Sequence, residues 1–142
     1  EVSLIRETAF LHDIGKLGVQ ESILNKKEKL TESDWEAIRR HPSIGEDILR
    51  PVLLEKEMLE IVKQHHEHYD GSGYPDKLRG EHINIFAQIL SVADAYDAMT
   101  SSRAYRPALR KEEAVAELKK HSGSQFNPKI VAAFVKLIEE EK

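Results

Sequence analysis

The chain has 142 residues, enough for one domain with its own core, and contains no cysteine, which excludes disulfides, thiolate metal ligands and a cysteine nucleophile. Any metal must therefore be held by nitrogen and oxygen donors. Twenty-one basic against 25 acidic side chains give a formal charge of -4, which argues against a general grip on nucleic acid. An anionic ligand then has to be held by local cations, with Lys77 and Arg79 in one stretch and Arg103, Arg106, Arg110 and Lys111 in another as candidates.

The hydrophobic pattern is helical nearly throughout, with little of the alternation that marks strands. Leu4, Thr8 and Leu11 or His12 share one face of a first helix, which Gly15 and Gly18 are expected to end. Thr31 followed by Asp34 is a capping arrangement, opening a helix with Trp35 and Ile38 on its buried side. Pro42 is expected to interrupt it and push His41 out of helical geometry, with a second piece carrying Ile44, Ile48 and Leu49 up to Pro51. A helix from about Glu55 to His68 buries Met58, Leu59, Ile61 and Val62. Asp70-Gly71-Ser72-Gly73-Tyr74-Pro75 reads as a tight loop, and the apolar run from Ile85 to about Met99 as the central helix. Two further helices span about Lys111 to Lys120 and Pro128 to Glu141, the last with Asn127 as its N-cap and Pro128 at its first position. The expected fold is an all-α, compact bundle of about six or seven helices in a single domain over residues 1–142.

Polar residues on the apolar faces carry the chemistry. His65 lies three residues after Val62 and four after Ile61, and Asp94 lies four after Leu90, so both project from buried stripes. A buried carboxylate costs several kcal/mol unless its charge is compensated. His12, Asp13, His41, His65, His66 and Asp94 are candidates to meet around divalent metal, which would compensate it. Consecutive helical residues diverge by about 100°, so His65 and His66 both reach one metal only where the helix axis passes close to it. Imidazole and carboxylate donors without thiolate suit iron, manganese, zinc, nickel or cobalt. Glu67 stands either as a partner of the histidine pair or on a solvated helix face, and Trp35 reads as core.

Phe10-Leu11-His12-Asp13-Ile14-Gly15-Lys16, His41-Pro42, His65-His66-Glu67, Asp70-Gly71-Ser72-Gly73-Tyr74-Pro75 and the run Ser91 to Thr100 around Asp94 resemble, in order and spacing, the HD-GYP family of the HD superfamily. The resemblance covers about Ala9 to Phe134. It implies a helical metal phosphohydrolase that cleaves cyclic di-GMP to pGpG, and often on to GMP, with a metal-activated hydroxide as the nucleophile and iron or manganese as the metal. It also implies roles. His12, Asp13, His41, His65, His66 and Asp94 match metal ligands, with Asp13 bridging two metals, His41, His65 and His66 completing one, and His12 and Asp94 belonging to the other. Lys16 matches a residue that contacts the scissile phosphate, Gly73, Tyr74 and Pro75 a loop bordering the substrate, and Arg103 and Arg106 positions that hold its phosphates.

The family pattern also carries a metal ligand on a helix upstream of the first one here, which this chain begins too late to contain, so one metal is expected to lack a ligand and the face of Leu4, Ile5 and Phe10 to lack a partner. Dimerisation is one expected consequence. A sensory or receiver domain in the parent chain and a diguanylate cyclase partner are further partners the resemblance suggests. Two alternatives differ in class: hydrolysis of nucleotides such as deoxynucleoside triphosphates or guanosine tetraphosphate, and a degenerate signalling or docking module without activity. No apolar run approaches the roughly 18 residues that span a bilayer, and the expectation is a cytoplasmic domain.

Overall fold

The computed structural model describes residues 1–53, 55–102 and 107–140. Arg103 and Arg106 lie outside the described residues. The helices in chain order are α1 (Val2–Leu11), α2 (Glu21–Leu24), α3 (Glu32–Arg39), α4 (His41–Leu49), α5 (Lys56–Gln64), α6 (Ile85–Thr100), α7 (Lys111–Lys120) and α8 (Pro128–Glu140), with tight 3-10 turns at Ile14–Gly18 and Gly80–His82. Apart from the single-turn α2, the described residues thus form seven helices, and the all-α bundle expected from the periodicity is the architecture observed.

Three apolar clusters hold the bundle. Val92 of α6 packs with Val115 and Leu118 of α7, Phe126, and Val131 and Val135 of α8. Ile61 of α5 joins Ile83, Ala87 and Leu90, with Leu4 and Ala9 of α1 against them. Leu49 of α4 meets Leu59 and Val62 of α5, flanked by Leu11 and Ile14. Helix α5 thus belongs to two clusters and ties the N-terminal half to the C-terminal half. Full burial of an aliphatic side chain contributes about 1.5–3 kcal/mol, which makes Ile61 and Val62, both with no exposed surface, principal anchors.

Helix ends explain where the polar residues point. Thr31 accepts from the Asp34 amide, and the Asp34 carboxylate accepts in return from the Thr31 amide and pairs with Lys26 at 2.5 Å. This is the capping box expected at α3. Because Asp34 turns inward to make these contacts, the buried side of α3 is rotated one residue from Trp35, which is 42% exposed rather than core. The break between α3 and α4 falls at Arg40, and His41 opens α4 in helical conformation with Pro42 in its first turn. Proline is tolerated there because its missing N–H has no intrahelical acceptor to lose. Helix α1 ends at Leu11, and α5 ends at Gln64 rather than near His68. Asn84 caps α6 by accepting from the Phe86 amide, and Asn127 caps α8 by accepting from the Lys129 amide.

Candidate metal centre

The polar residues singled out in the sequence come from four places. His12 and Asp13 leave the end of α1, His41 opens α4, His65 and His66 follow the last turn of α5, and Asp94 sits midway along α6. The turn Ile14–Gly18 packs directly on α4. A Cβ on Gly15 would lie 1.8 Å from the His41 carbonyl oxygen and 2.6 Å from the Gly45 amide, so only glycine permits this approach.

One ligand atom from each of Asp13, His41, His65 and His66 falls within 4.8 Å of the others. Asp13 Oδ1 is 3.3 Å from His41 Nε2 and 3.9 Å from His65 Nε2. The other oxygen, Asp13 Oδ2, faces His12 Nε2 at 3.6 Å and Lys16 Nζ at 2.7 Å. His12 Nε2 is also 3.6 Å from Asp94 Oδ1. Asp13 therefore stands between two groups of donors, His41 and His65 on one side, His12 on the other.

The imidazoles are fixed by their own chain. His12 Nδ1 lies 2.7 Å from the Ala9 carbonyl, His41 Nδ1 2.7 Å from that of Ile38, and His65 Nδ1 2.6 Å from that of Val62, each carbonyl three residues back. A carbonyl only accepts, so each Nδ1 carries a proton and donates it. In the neutral ring Nε2 is then a bare lone pair. Two such atoms, on buried His41 and His65, face each other at 3.4 Å, and His12 Nε2 is buried with no hydrogen-bond partner. Lone pairs turned toward one point in a buried setting repel unless a cation lies among them, and carbonyl-anchored imidazole is how proteins orient histidine for metal. The donor set fits a divalent ion. Burial drives His65 well below the ordinary histidine value, and burial together with His41 takes His66 down to about 3, so both rings are neutral at pH 7. Burial opposes ionisation of Asp13, yet Lys16, paired with it at 2.7 Å, helps hold the carboxyl below the usual range.

A loop closes one side of the centre. The Tyr74 ring stacks on His66 with centroids 5.0 Å apart and planes at 21°, and the Tyr74 amide donates to the His66 carbonyl at 3.1 Å. Burial pushes the Tyr74 hydroxyl up to about 12, with the Arg39 and Asp13 charges acting on it in opposite directions. Gly73 packs so tightly on residues 66–68 that a Cβ would come within 2.2 Å of the His68 amide. Glu67 is buried, not solvated, and its oxygens accept from the amides of Asp76 at 2.7 Å and Leu78 at 3.0 Å. Its function as a loop anchor was only half visible in the sequence, since its place beside two histidines gave no hint of which amides it would meet.

The HD domain family profile matches residues 5–130. The chain belongs to the HD domain family. As an HD domain it is 42% identical over 139 residues to the cyclic di-GMP phosphodiesterase response regulator RpfG of Xanthomonas campestris, covering 96% of this chain and 36% of that protein. It is also 42% identical over 143 residues to a cyclic di-GMP phosphodiesterase of Thermotoga maritima, covering 98% and 38%. A 3'3'-cGAMP-specific phosphodiesterase of Vibrio cholerae is 37% identical over 134 residues, covering 94% and 29%. The chain spans about a third of the length of these relatives. The crystal structure of a cyclic GMP-AMP specific phosphodiesterase of Vibrio cholerae matches the fold with a TM-score of 0.73 at 22% identity, covering 97% of this HD domain and 38% of that chain. The resemblance drawn from the motifs, the all-α fold and the family agree.

Proposed function

We propose that this HD domain is a phosphodiesterase that hydrolyses cyclic di-GMP to pGpG, and on to GMP, with two or more divalent ions, iron or manganese, held by His12, Asp13, His41, His65, His66 and Asp94. The observation that carries the reading is the set of carbonyl-locked imidazoles whose Nε2 atoms converge beside Asp13, with the bare His41 and His65 nitrogens 3.4 Å apart. The relatives named as cyclic di-GMP phosphodiesterases supply the substrate class. Divalent metal in such a cradle supplies Lewis acidity toward phosphoryl oxygens and lowers the pKa of a water.

The chain's own residues do the rest. Asp13, with one oxygen toward His41 and His65 and the other toward His12, would help hold the metal from both sides of its carboxylate. Lys16, 2.7 Å from Asp13 Oδ2 and partly exposed, exchanges that contact for a phosphoryl oxygen and neutralises charge growing there. Gly73, Tyr74 and Pro75 border the substrate, and Arg103 and Arg106 serve as the cations for its phosphates. Residues 1–142 act as one catalytic domain, with a regulatory domain in the same protein as one relative's name suggests.

Anaerobic incubation of the iron- or manganese-loaded protein with cyclic di-GMP, 3'3'-cGAMP, a deoxynucleoside triphosphate and guanosine tetraphosphate tests the reading. The expected result is pGpG from cyclic di-GMP, with Asp13→Ala lowering turnover by about 10³ or more, as expected for losing several kcal/mol of metal-derived stabilisation. Preference for cGAMP or for either linear nucleotide, or turnover indifferent to Asp13→Ala, overturns it.

A further inference from the structure

Trp35 is the chain's sole tryptophan and is 42% exposed, which leaves a large aromatic ring partly open to solvent. Its one aromatic-face contact among the described residues is a cation: the Arg39 guanidinium carbon lies 5.9 Å from the ring centroid, at the outer limit of a cation–π pair and looser than a packed contact of about 3.5–4 Å. Arg39 otherwise holds Glu32 at 2.8 Å between two exposed side chains, a pair of the kind that contributes little and is readily exchanged.

The location gives this pair its meaning. Arg39 is the last residue of α3, two before His41, and the carbonyl that orients the His41 imidazole belongs to Ile38. The end of α3 is therefore the wall behind the metal centre, and Trp35 lies one turn, about 6 Å, further along the same face. Tyr74, stacked on His66, belongs to the same centre. Phosphates bound at the centre leave the bases of a cyclic dinucleotide projecting outward along such walls. Aromatic rings and guanidinium planes are the usual stacking partners for splayed bases.

We propose that Trp35 and Arg39, on the exposed face of α3 beside the metal centre, form a stacking platform for one purine base of the cyclic dinucleotide. This rests on the cyclic dinucleotide reading given above. Trp35 supplies the face on which the base lies, and Arg39 lets go of Glu32 to cover the base or meet its phosphate. Both are binding residues that recognise the substrate without touching the reacting phosphorus.

Because no other tryptophan is present, fluorescence reports on this ring alone. The metal-loaded protein is titrated with the bis-phosphorothioate analogue of cyclic di-GMP, with inorganic phosphate as the base-free comparison. Saturable quenching by the analogue and none by phosphate is expected. In parallel, Trp35→Ala should raise KM for cyclic di-GMP by roughly tenfold or more while kcat changes less than twofold, Trp35→Phe should recover most of the loss, and metal content should be unaltered. Unquenched fluorescence with KM unmoved in Trp35→Ala overturns the platform while leaving the enzyme reading intact. Loss of kcat and metal together in both variants makes Trp35 structural and also overturns it. Wild-type protein that neither binds the analogue nor cleaves cyclic di-GMP overturns the cyclic dinucleotide reading, and the platform with it.

Discussion

His12, His41 and His65 each return Nδ1 to a carbonyl three residues back, so a local backbone rule aims three imidazoles from three separate elements at one place. The candidates themselves were legible from apolar spacing and the order of motifs. The lock was not, because it depends on the histidines standing at helix ends, where ring and carbonyl can meet. Glu67 was ambiguous for a related reason: its partners, Asp76 and Leu78, are defined by a loop that folds back from nine and eleven residues away. Glu67→Ala strands two amides and is expected to cost about 1–3 kcal/mol, read by denaturant unfolding, with faster hydrogen exchange at Asp76 and Leu78. Glu67→Gln keeps an acceptor oxygen and should recover part of both losses. Exchange unaltered at those two amides in Glu67→Ala would refute the anchoring.

At the scale of elements, the sequence located every long helix but misjudged several ends. Gly15 and Gly18 looked like helix stops, yet α1 ends at Leu11 and Gly15 serves instead to seat the 14–18 turn on α4. That close approach is tertiary and leaves no mark in periodicity. Gly15→Ala is expected to destabilise the fold by at least about 2 kcal/mol in chemical unfolding, because the neighbour it meets is backbone and cannot swing aside. Trp35 was misplaced because Asp34, joined to the cap Thr31 in a capping box, takes the buried side of α3, and a one-residue rotation of a short helix exchanges core for solvent. The Asp34 carboxyl is lowered to about 2 by Lys26 and by hydrogen bonds from Thr31. A carboxyl depressed in the folded state stabilises above its unfolded value, near 3.9, and loses that contribution as pH falls through the folded one. Melting temperatures should therefore separate wild type from Asp34→Asn at neutral pH and converge between about pH 4 and pH 2. A gap at pH 2 as wide as that at neutral pH would contradict the assignment.

Across the whole molecule, the site joins α1, α4, α5 and α6, and α5 belongs to two of the three apolar clusters. Metal bound there would tie both halves of the bundle. Chelation should lower the melting temperature, since a ligand at a hundred times its Kd contributes about 2.7 kcal/mol. The size of the drop should depend on metal concentration, and Asp13→Ala should abolish the dependence. The family and the bundle were legible in five motifs in order, whereas which donors lie closest needed coordinates: Asp13, His41, His65 and His66 form the tightest group, with His12 and Asp94 beside it. The central claim is that these side chains hold metal. Anomalous diffraction from crystals grown anaerobically with manganese tests it most directly. The account predicts a peak within bonding distance of Asp13 and of Nε2 of His41 and His65, with a second between Asp13, His12 and Asp94. Density without an anomalous peak inside that cradle, or a peak bound elsewhere on the surface, would contradict it.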